Sequence, residues 1–153
     1  MTALLLCVVF AGCSQSPEEE KTIDVSSLAQ EMQAAAEWPE LLTISSGDSS
    51  AQKGFSAISS LDYDKVDDFC LLYAADGSAY ELAVIRLKDE ADMDEMEKSL
   101  KQHIEKRTES YRYYKPDQAA RSSGALVAVH GRYAALVMCD HNAAVKAVFD
   151  KSF

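Results

Sequence analysis

Two pairs of apolar segments, each pair separated by a glycine-containing turn, constrain the fold of this chain more than any other feature. Asp76-Gly77 joins the first pair and Gly131-Arg132 joins the second. Glycine adopts the positive φ that tight hairpin turns need, and strands joined in this way are antiparallel. The four predicted strands are residues 69–75, 79–87, 125–130 and 133–139. The sequence therefore predicts two β-hairpins in an antiparallel sheet.

Apolar residues at helical spacing flank these hairpins. We expect three helices, which begin after Asp24, Asp92 and Asp140, because each side chain can cap a first turn. Glu95 completes a capping-box-like pair with Asp92, and the first helix ends before Pro39. The apolar faces are Val25, Leu28, Ala29, Met32, Ala35 and Ala36, then Met93, Met96, Leu100 and Ile104, then Val145, Val148 and Phe149. The fold class is thus α+β, a mainly antiparallel sheet of about four strands with helices covering one face.

Two segments are less defined by their sequence. Residues 41–44 fit either a short strand or a turn of helix. Residues 45–60 are rich in serine and glycine, which indicates an irregular connection. The length of 153 residues suits one domain with one core, and we place this domain at residues 23–153.

The N-terminal region indicates where the protein is located in the cell. Residues 1–12 are almost entirely apolar but fall short of the ~20 that span a bilayer, so they suit a signal peptide. The sequence Phe-Ala-Gly-Cys at 10–13 resembles the lipobox of bacterial lipoproteins, whose cysteine receives a diacylglyceryl group. The resemblance implies lipidation of Cys13, a polar tether over residues 13–22 and an extracytoplasmic protein anchored to the cell membrane. An ordinary secretory signal and a buried N-terminal strand are the alternatives.

The charge of the chain limits its partners. The formal net charge is -10, and no charged residue precedes Glu18. Phosphate backbones and anionic lipid headgroups repel such a chain, so nucleic acid is not an expected partner. We therefore expect membrane contact through the lipid on Cys13, and an envelope protein or a wall component as a further partner.

The cysteines and histidines offer one candidate metal site. Cys139, His130 and His141 are all donor types that zinc accepts, but nothing in the sequence fixes their geometry. We expect His103 to be an ordinary helix-surface histidine, and Cys70 and Cys139 to be buried free thiols, with a disulfide between them as the alternative. The chain has no nucleophile elbow, P-loop or dinucleotide fingerprint, so we predict no catalytic residues, metal or cofactor.

A cluster of tyrosines before Pro116 is the most suggestive surface feature. Tyrosine presents rigid amphipathic area and is enriched at contact sites. Alternate residues of an extended segment face the same side, so we expect Tyr111 and Tyr113 to point together and Tyr114 to point away. These three residues are a candidate binding surface, and the alternative is that they seal the edge of the sheet.

The chain also resembles a known family. The similarity runs over about residues 24–149 and is carried by four short motifs in a fixed order. They are Glu-Leu-Ala-Val at 81–84, Lys-Asp at 88–89, Tyr-Lys-Pro at 114–116 and Gly-Arg-Tyr at 131–133. The family is that of small lipoproteins of Gram-positive anaerobes catalogued as domain of unknown function number four thousand three hundred and fifty-eight. The resemblance implies a lipoprotein address and one α+β domain, and it implies no activity.

Two hypotheses for the function follow from these observations. The first is a non-enzymatic binding or interaction domain tethered at the cell surface. The second is a hydrolase or metal-dependent enzyme of the cell envelope that uses His130 and His141. A cleft that joins those two histidines would favour the second hypothesis.

Overall fold

The sheet has five strands, and all neighbouring strands are antiparallel. The structure is a computed structural model that describes residues 22–153. The strands are β1 (Leu41–Ser45), β2 (Val66–Ala74), β3 (Glu81–Leu87), β4 (Leu126–His130) and β5 (Tyr133–Met138), in the spatial order β1-β2-β3-β5-β4. Both predicted hairpins are confirmed, with Gly77 at φ 72° and Gly131 at φ 51° in the turns. The α+β class is also confirmed, and β1 adds an edge strand to the four expected.

Five α-helices accompany the sheet within the described residues. They are α1 (Val25–Gln33), α2 (Ala51–Ile58), α3 (Met93–Arg112), α4 (Pro116–Ser123) and α5 (Asn142–Lys151), with short 3-10 turns at Tyr63–Lys65 and Glu90–Asp92. The expectation of an irregular connection over residues 45–60 was wrong. Ala51, Phe55 and Ile58 follow helical spacing and are buried, so α2 forms despite its Ser- and Gly-rich surroundings.

Helices cover both faces of the sheet, which corrects the expectation of one covered face. On one face, α1 and α5 pack through Leu28, Met32 and Phe149 onto even-numbered residues of β2 and β3. On the other face, α2 and α3 pack through Phe55 and Met96 onto odd-numbered residues of the same strands. Because successive side chains of a strand point to opposite faces, β2 and β3 each supply both cores.

The predicted helix caps were right for one helix and wrong for two. The Asp24 carboxylate accepts a hydrogen bond from Ser27 N at 2.7 Å, as expected for the cap of α1. The Asp92 side chain caps nothing, because a 3-10 turn that Asp89 caps precedes α3. The Asp140 carboxylate also does not cap α5. It accepts hydrogen bonds from Tyr80 Oη at 2.6 Å and Arg121 Nε at 2.8 Å.

The structure bears on the predictions for the two thiols but not on those for the N-terminal segment. Residues 1–12, Cys13 and most of the tether at 13–22 lie outside the described residues. Cys70 and Cys139 are both buried free cysteines, which confirms that part of the expectation. No helix between residues 22 and 153 is long and apolar enough to cross a membrane.

Candidate functional site

An open groove of about 820 Å³ lies between α2, α3 and the first three strands. Its walls are largely apolar, and a few polar side chains from β1, α2, β3 and α3 lie among them. The apolar side chains are Leu42, Ile44, Ala57, Ile58, Leu71, Tyr73, Ala74 and Ala75, and the polar side chains are Thr43, Ser50, Lys53, Glu81, His103 and Arg107. A concave apolar surface with few polar groups is the usual form of a small-molecule site.

Along one wall of the groove, α2 approaches the edge strand β1 at a glycine. A Cβ atom on Gly54 would lie 2.9 Å from both Cδ1 and Cγ2 of Ile44, closer than real Cβ contacts allow. Residue 54 therefore has to lack a side chain for α2 to sit at its observed distance. Lys53 and Ala57 then line the groove from the helix, one turn apart.

Glu81 provides the buried charge of the site. It is the first residue of β3, and its side chain lies on the same sheet face as Ala83 and Ile85. Only 4% of its surface is exposed. Its Oε1 lies 2.6 Å from Nε2 of His103. Because a carboxylate can only accept, Nε2 carries the hydrogen and donates it to Glu81.

Arg107 lies one helical turn after His103, on the same face of α3. Its Nη2 is 3.8 Å from Glu81 Oε2 and 3.4 Å from the carbonyl oxygen of Ser78, both long for hydrogen bonds. Its Nε has no partner among residues 22–153. The guanidinium also lies over the ring of Tyr111, 5.1 Å from its centroid. Arg107 is thus held in place with much of its hydrogen-bonding capacity unused.

The tyrosine cluster is not extended, and the predicted alternation of its side chains was wrong. Tyr111 is inside α3, which continues to Arg112, and its Oη donates a hydrogen bond to Gly77 O at 2.6 Å. Tyr113 and Tyr114 follow the helix and are 77% and 86% exposed. Tyr111 therefore ties α3 to the β2–β3 turn, whereas the two other tyrosines project from the surface.

The histidines of the candidate metal site have other surroundings. His130 stacks on Phe153 with ring centroids 4.3 Å apart, and His141 is exposed just before α5. Burial raises the pKa of the Cys139 thiol, which disfavours the thiolate form that binds metals. In the part of the chain that the structure describes, no three His, Cys, Asp or Glu side chains are placed to share a metal ion. Neither His130 nor His141 lines the groove, so the groove is not a cleft that joins these two histidines.

Sequence reasoning missed the site because its members are distant along the chain. The sequence predicts that His103 is an ordinary surface residue, and it places Glu81 only in a strand and in a family motif. Two signals were present. A single carboxylate interrupts the apolar segment at 79–87, and His103 and Arg107 are four residues apart on one helix. Only the packing of α3 on the sheet shows that this helix face contacts that carboxylate.

A comparison with known families matches most of the described fold. Residues 42–139 match the family model described as domain of unknown function DUF4358. No curated protein and no solved structure matches the chain. The matched region runs from β1 past β5 and contains Glu81, His103 and Arg107. The chain belongs to the DUF4358 family, which confirms the predicted domain of unknown function.

Proposed function

We propose that this protein is a non-enzymatic binding domain, tethered to the outer face of a membrane by a lipid on Cys13, and that the groove is its ligand site. One observation carries the proposal. The groove combines apolar walls with the half-buried Arg107, beside the buried Glu81–His103 pair. Apolar walls supply affinity, and a few fixed polar groups select the orientation of a ligand.

The volume of the groove supports a small ligand. About 820 Å³ lies inside the range of about 300–1,000 Å³ typical of small-molecule sites. The formal charge of -10 disfavours nucleic acid as a ligand. A lipid, a small envelope metabolite or a segment of an envelope protein or wall component fits the proposed address.

The alternative of an envelope hydrolase has less support. His103 is oriented by a carboxylate, as a catalytic base would be. Among residues 22–153, however, no serine hydroxyl or cysteine thiol hydrogen bonds to its ring. The nearby hydroxyls of Ser59, Ser60 and Ser99 bond to one another instead.

A blocked groove tests the proposal. Ala57 is exposed and lines the groove, so Ala57→Trp should fill it without disturbing the core. Gln52→Trp is the matched control, because Gln52 is exposed on α2 and does not line the groove. We expect NMR titration of the purified protein with 1-decanol to show saturable binding that Ala57→Trp abolishes and Gln52→Trp retains. Equal binding by both variants, or no binding by the wild type, would refute the groove as a ligand site.

A further inference from the structure

The ligand of the groove has a definable polar end. We propose that it is a small amphipathic molecule with a single carboxylate, and that Arg107 binds this carboxylate while the apolar walls hold the body of the molecule. The inference rests on the proposed function, since it names the class of ligand for the same groove. It depends on three features: the unused donors of Arg107, the competition for Glu81, and the local charge.

Arg107 has donors to spare. A guanidinium carries five N–H groups in a planar fork that matches a carboxylate. Within the described residues its contacts are one 3.4 Å hydrogen bond to Ser78 O, the 3.8 Å approach to Glu81 and the ring of Tyr111. The side chain lines the groove and keeps 30% of its surface exposed. An anion in the groove can therefore meet the guanidinium without displacing a short bond.

His103 makes the short contact with Glu81, so Arg107 forms only a long ion pair with that carboxylate. The short bond of the Glu81 carboxylate is the one at 2.6 Å to His103, whereas Arg107 stays at 3.8 Å, beyond hydrogen-bond distance. Arg107 in turn is fixed by the ring of Tyr111, whose hydroxyl bonds to Gly77 O. Glu81 and Tyr111 thus position the arginine, but neither forms a short hydrogen bond with it. This arrangement suits the binding of a further anion.

The charge of the groove favours a monoanion. Its lining residues Lys53, Arg107 and Glu81 give a formal charge of +1 when histidine is not counted, in a chain whose formal charge on the same basis is -10. One carboxylate balances this charge. A phosphate monoester, with about -1.5 to -2 at neutral pH, would leave an excess of negative charge in a partly buried site.

Three probes with the same alkyl chain separate the carboxylate from the alternatives. The purified protein is titrated with decanoate, 1-decanol and decyl phosphate, each below its critical micelle concentration, by calorimetry or NMR. We expect decanoate to bind about tenfold or more tighter than decanol, the value of a charge-assisted hydrogen bond in a partly buried site. Arg107→Gln should remove this preference, and Arg107→Lys should keep part of it, because lysine retains the charge but not the fork.

Arg112→Gln is the matched control for charge. Arg112 is on the same helix, is exposed, pairs with Glu109 and does not line the groove. It should leave the preference for decanoate unchanged. Decanol should bind wild type and Arg107→Gln equally, which shows that the groove is intact in the variant. Thermal melts of each variant accompany the titrations.

The outcomes distinguish this inference from the proposed function. If decanol binds as tightly as decanoate, the groove remains a ligand site but the assignment of a carboxylate is wrong. If decyl phosphate binds tightest, a phosphate replaces the carboxylate and the inference is overturned. If the preference survives Arg107→Gln, Arg107 is not the receptor. If no probe binds, the inference and the proposed function fall together.

Discussion

Glu81 is the only charged residue in the buried core of residues 22–153. Removing an ionised carboxylate from water costs several kcal/mol, which is offset only by close partners. His103 donates a hydrogen bond at 2.6 Å, and Arg107 lies farther away at 3.8 Å. The stability of this part of the core therefore depends on His103 more than on any other neighbour of Glu81.

Loss of His103 should be costly. His103→Leu leaves the buried carboxylate of Glu81 without its hydrogen-bond donor, and breaking a buried pair from one side costs about 3–5 kcal/mol. The side chain of His103 is partly accessible at the groove, so we expect the lower end, about 3 kcal/mol. Urea unfolding of the variant and the wild type measures this change in the free energy of unfolding.

Two comparison variants make the result specific to the pair. His141 is exposed, so His141→Leu should change the free energy of unfolding by less than about 0.5 kcal/mol. The double variant Glu81→Leu with His103→Leu should be more stable than His103→Leu alone, because no buried charge is left unpaired. Equal losses for His103→Leu and His141→Leu would contradict the role given to the Glu81–His103 pair.

The thiol of Cys70 should make the protein less stable at alkaline pH. Burial, and next the negative charge of Asp68, raise the pKa of Cys70 from 9.0 to about 11. A group whose folded pKa is raised contributes stability below its unfolded pKa, and this contribution is lost as pH rises through the folded pKa. The free energy of unfolding should therefore decline between about pH 9 and pH 11.

Cys70→Ala isolates this contribution from the other groups that titrate there. The decline measured by denaturant unfolding should be shallower in Cys70→Ala than in the wild type. Both buried thiols should also resist alkylation by iodoacetamide at pH 8, because the thiolate is the reactive form. Mass spectrometry that finds Cys70 linked to Cys139, or an unchanged pH slope in Cys70→Ala, would contradict this account.

At the scale of elements, the sequence predicted what local chemistry decides. The hairpins at Gly77 and Gly131 follow from φ alone, and the cap at Asp24 follows from its own side chain. Asp92 and Asp140 are equally good helix caps by sequence. The Asp140 carboxylate instead accepts hydrogen bonds from distant residues, and Asp92 ends a 3-10 turn that precedes the helix. Glu95, expected in a capping box, pairs with Lys65 instead.

The edge strand and α2 could not be predicted with the same certainty because tertiary packing decides them. Residues 41–44 fit a strand or a helical turn, and pairing with β2 selects the strand. α2 is short, so its stability comes from burial of Phe55 and Ile58. The groove is formed partly by these two elements, so local sequence patterns could not predict it either.

Gly54→Ala tests how tightly these two elements pack. The new Cβ would meet Ile44 at 2.9 Å, and overpacking of this kind costs about 1–3 kcal/mol, of which about 1 kcal/mol is offset by helix propensity. We expect a net loss of up to about 2 kcal/mol in the free energy of unfolding, together with weaker binding of decanol in the groove. Chemical denaturation and NMR titration measure the two effects.

Gly47→Ala is the matched glycine substitution, because a Cβ at position 47 would meet nothing within 4 Å. It should leave both stability and binding near wild type. In an Ile44→Ala background, Gly54→Ala should cost less, since the atoms that it meets are gone. The same cost in both backgrounds would show that close packing against Ile44 is not what requires a glycine.

At the scale of the whole molecule, the described chain enters on the face opposite the groove. Ile23 packs with the α1 and α5 core, and its backbone N–H donates to Tyr133 Oη at 2.9 Å. Its carbonyl oxygen accepts from Arg86 at 3.1 Å. The groove lies across the sheet, between α2 and α3. The described chain therefore begins on the other side of the sheet from the groove.

Because of this separation, we predict that membrane anchoring through Cys13 and ligand binding in the groove are independent. Cys13→Ala removes the proposed acyl acceptor, so the protein should leave the detergent phase in a Triton X-114 partition. Its affinity for decanoate should equal that of the wild type, because the described chain begins on the face of the sheet away from the groove. Cys7→Ala is the control, since Cys7 is predicted to leave with the signal peptide and its loss should change neither property.

Partition of Cys13→Ala equal to that of the wild type would refute the lipid anchor. A loss of decanoate binding in the released protein would show instead that the anchor region contributes to the groove.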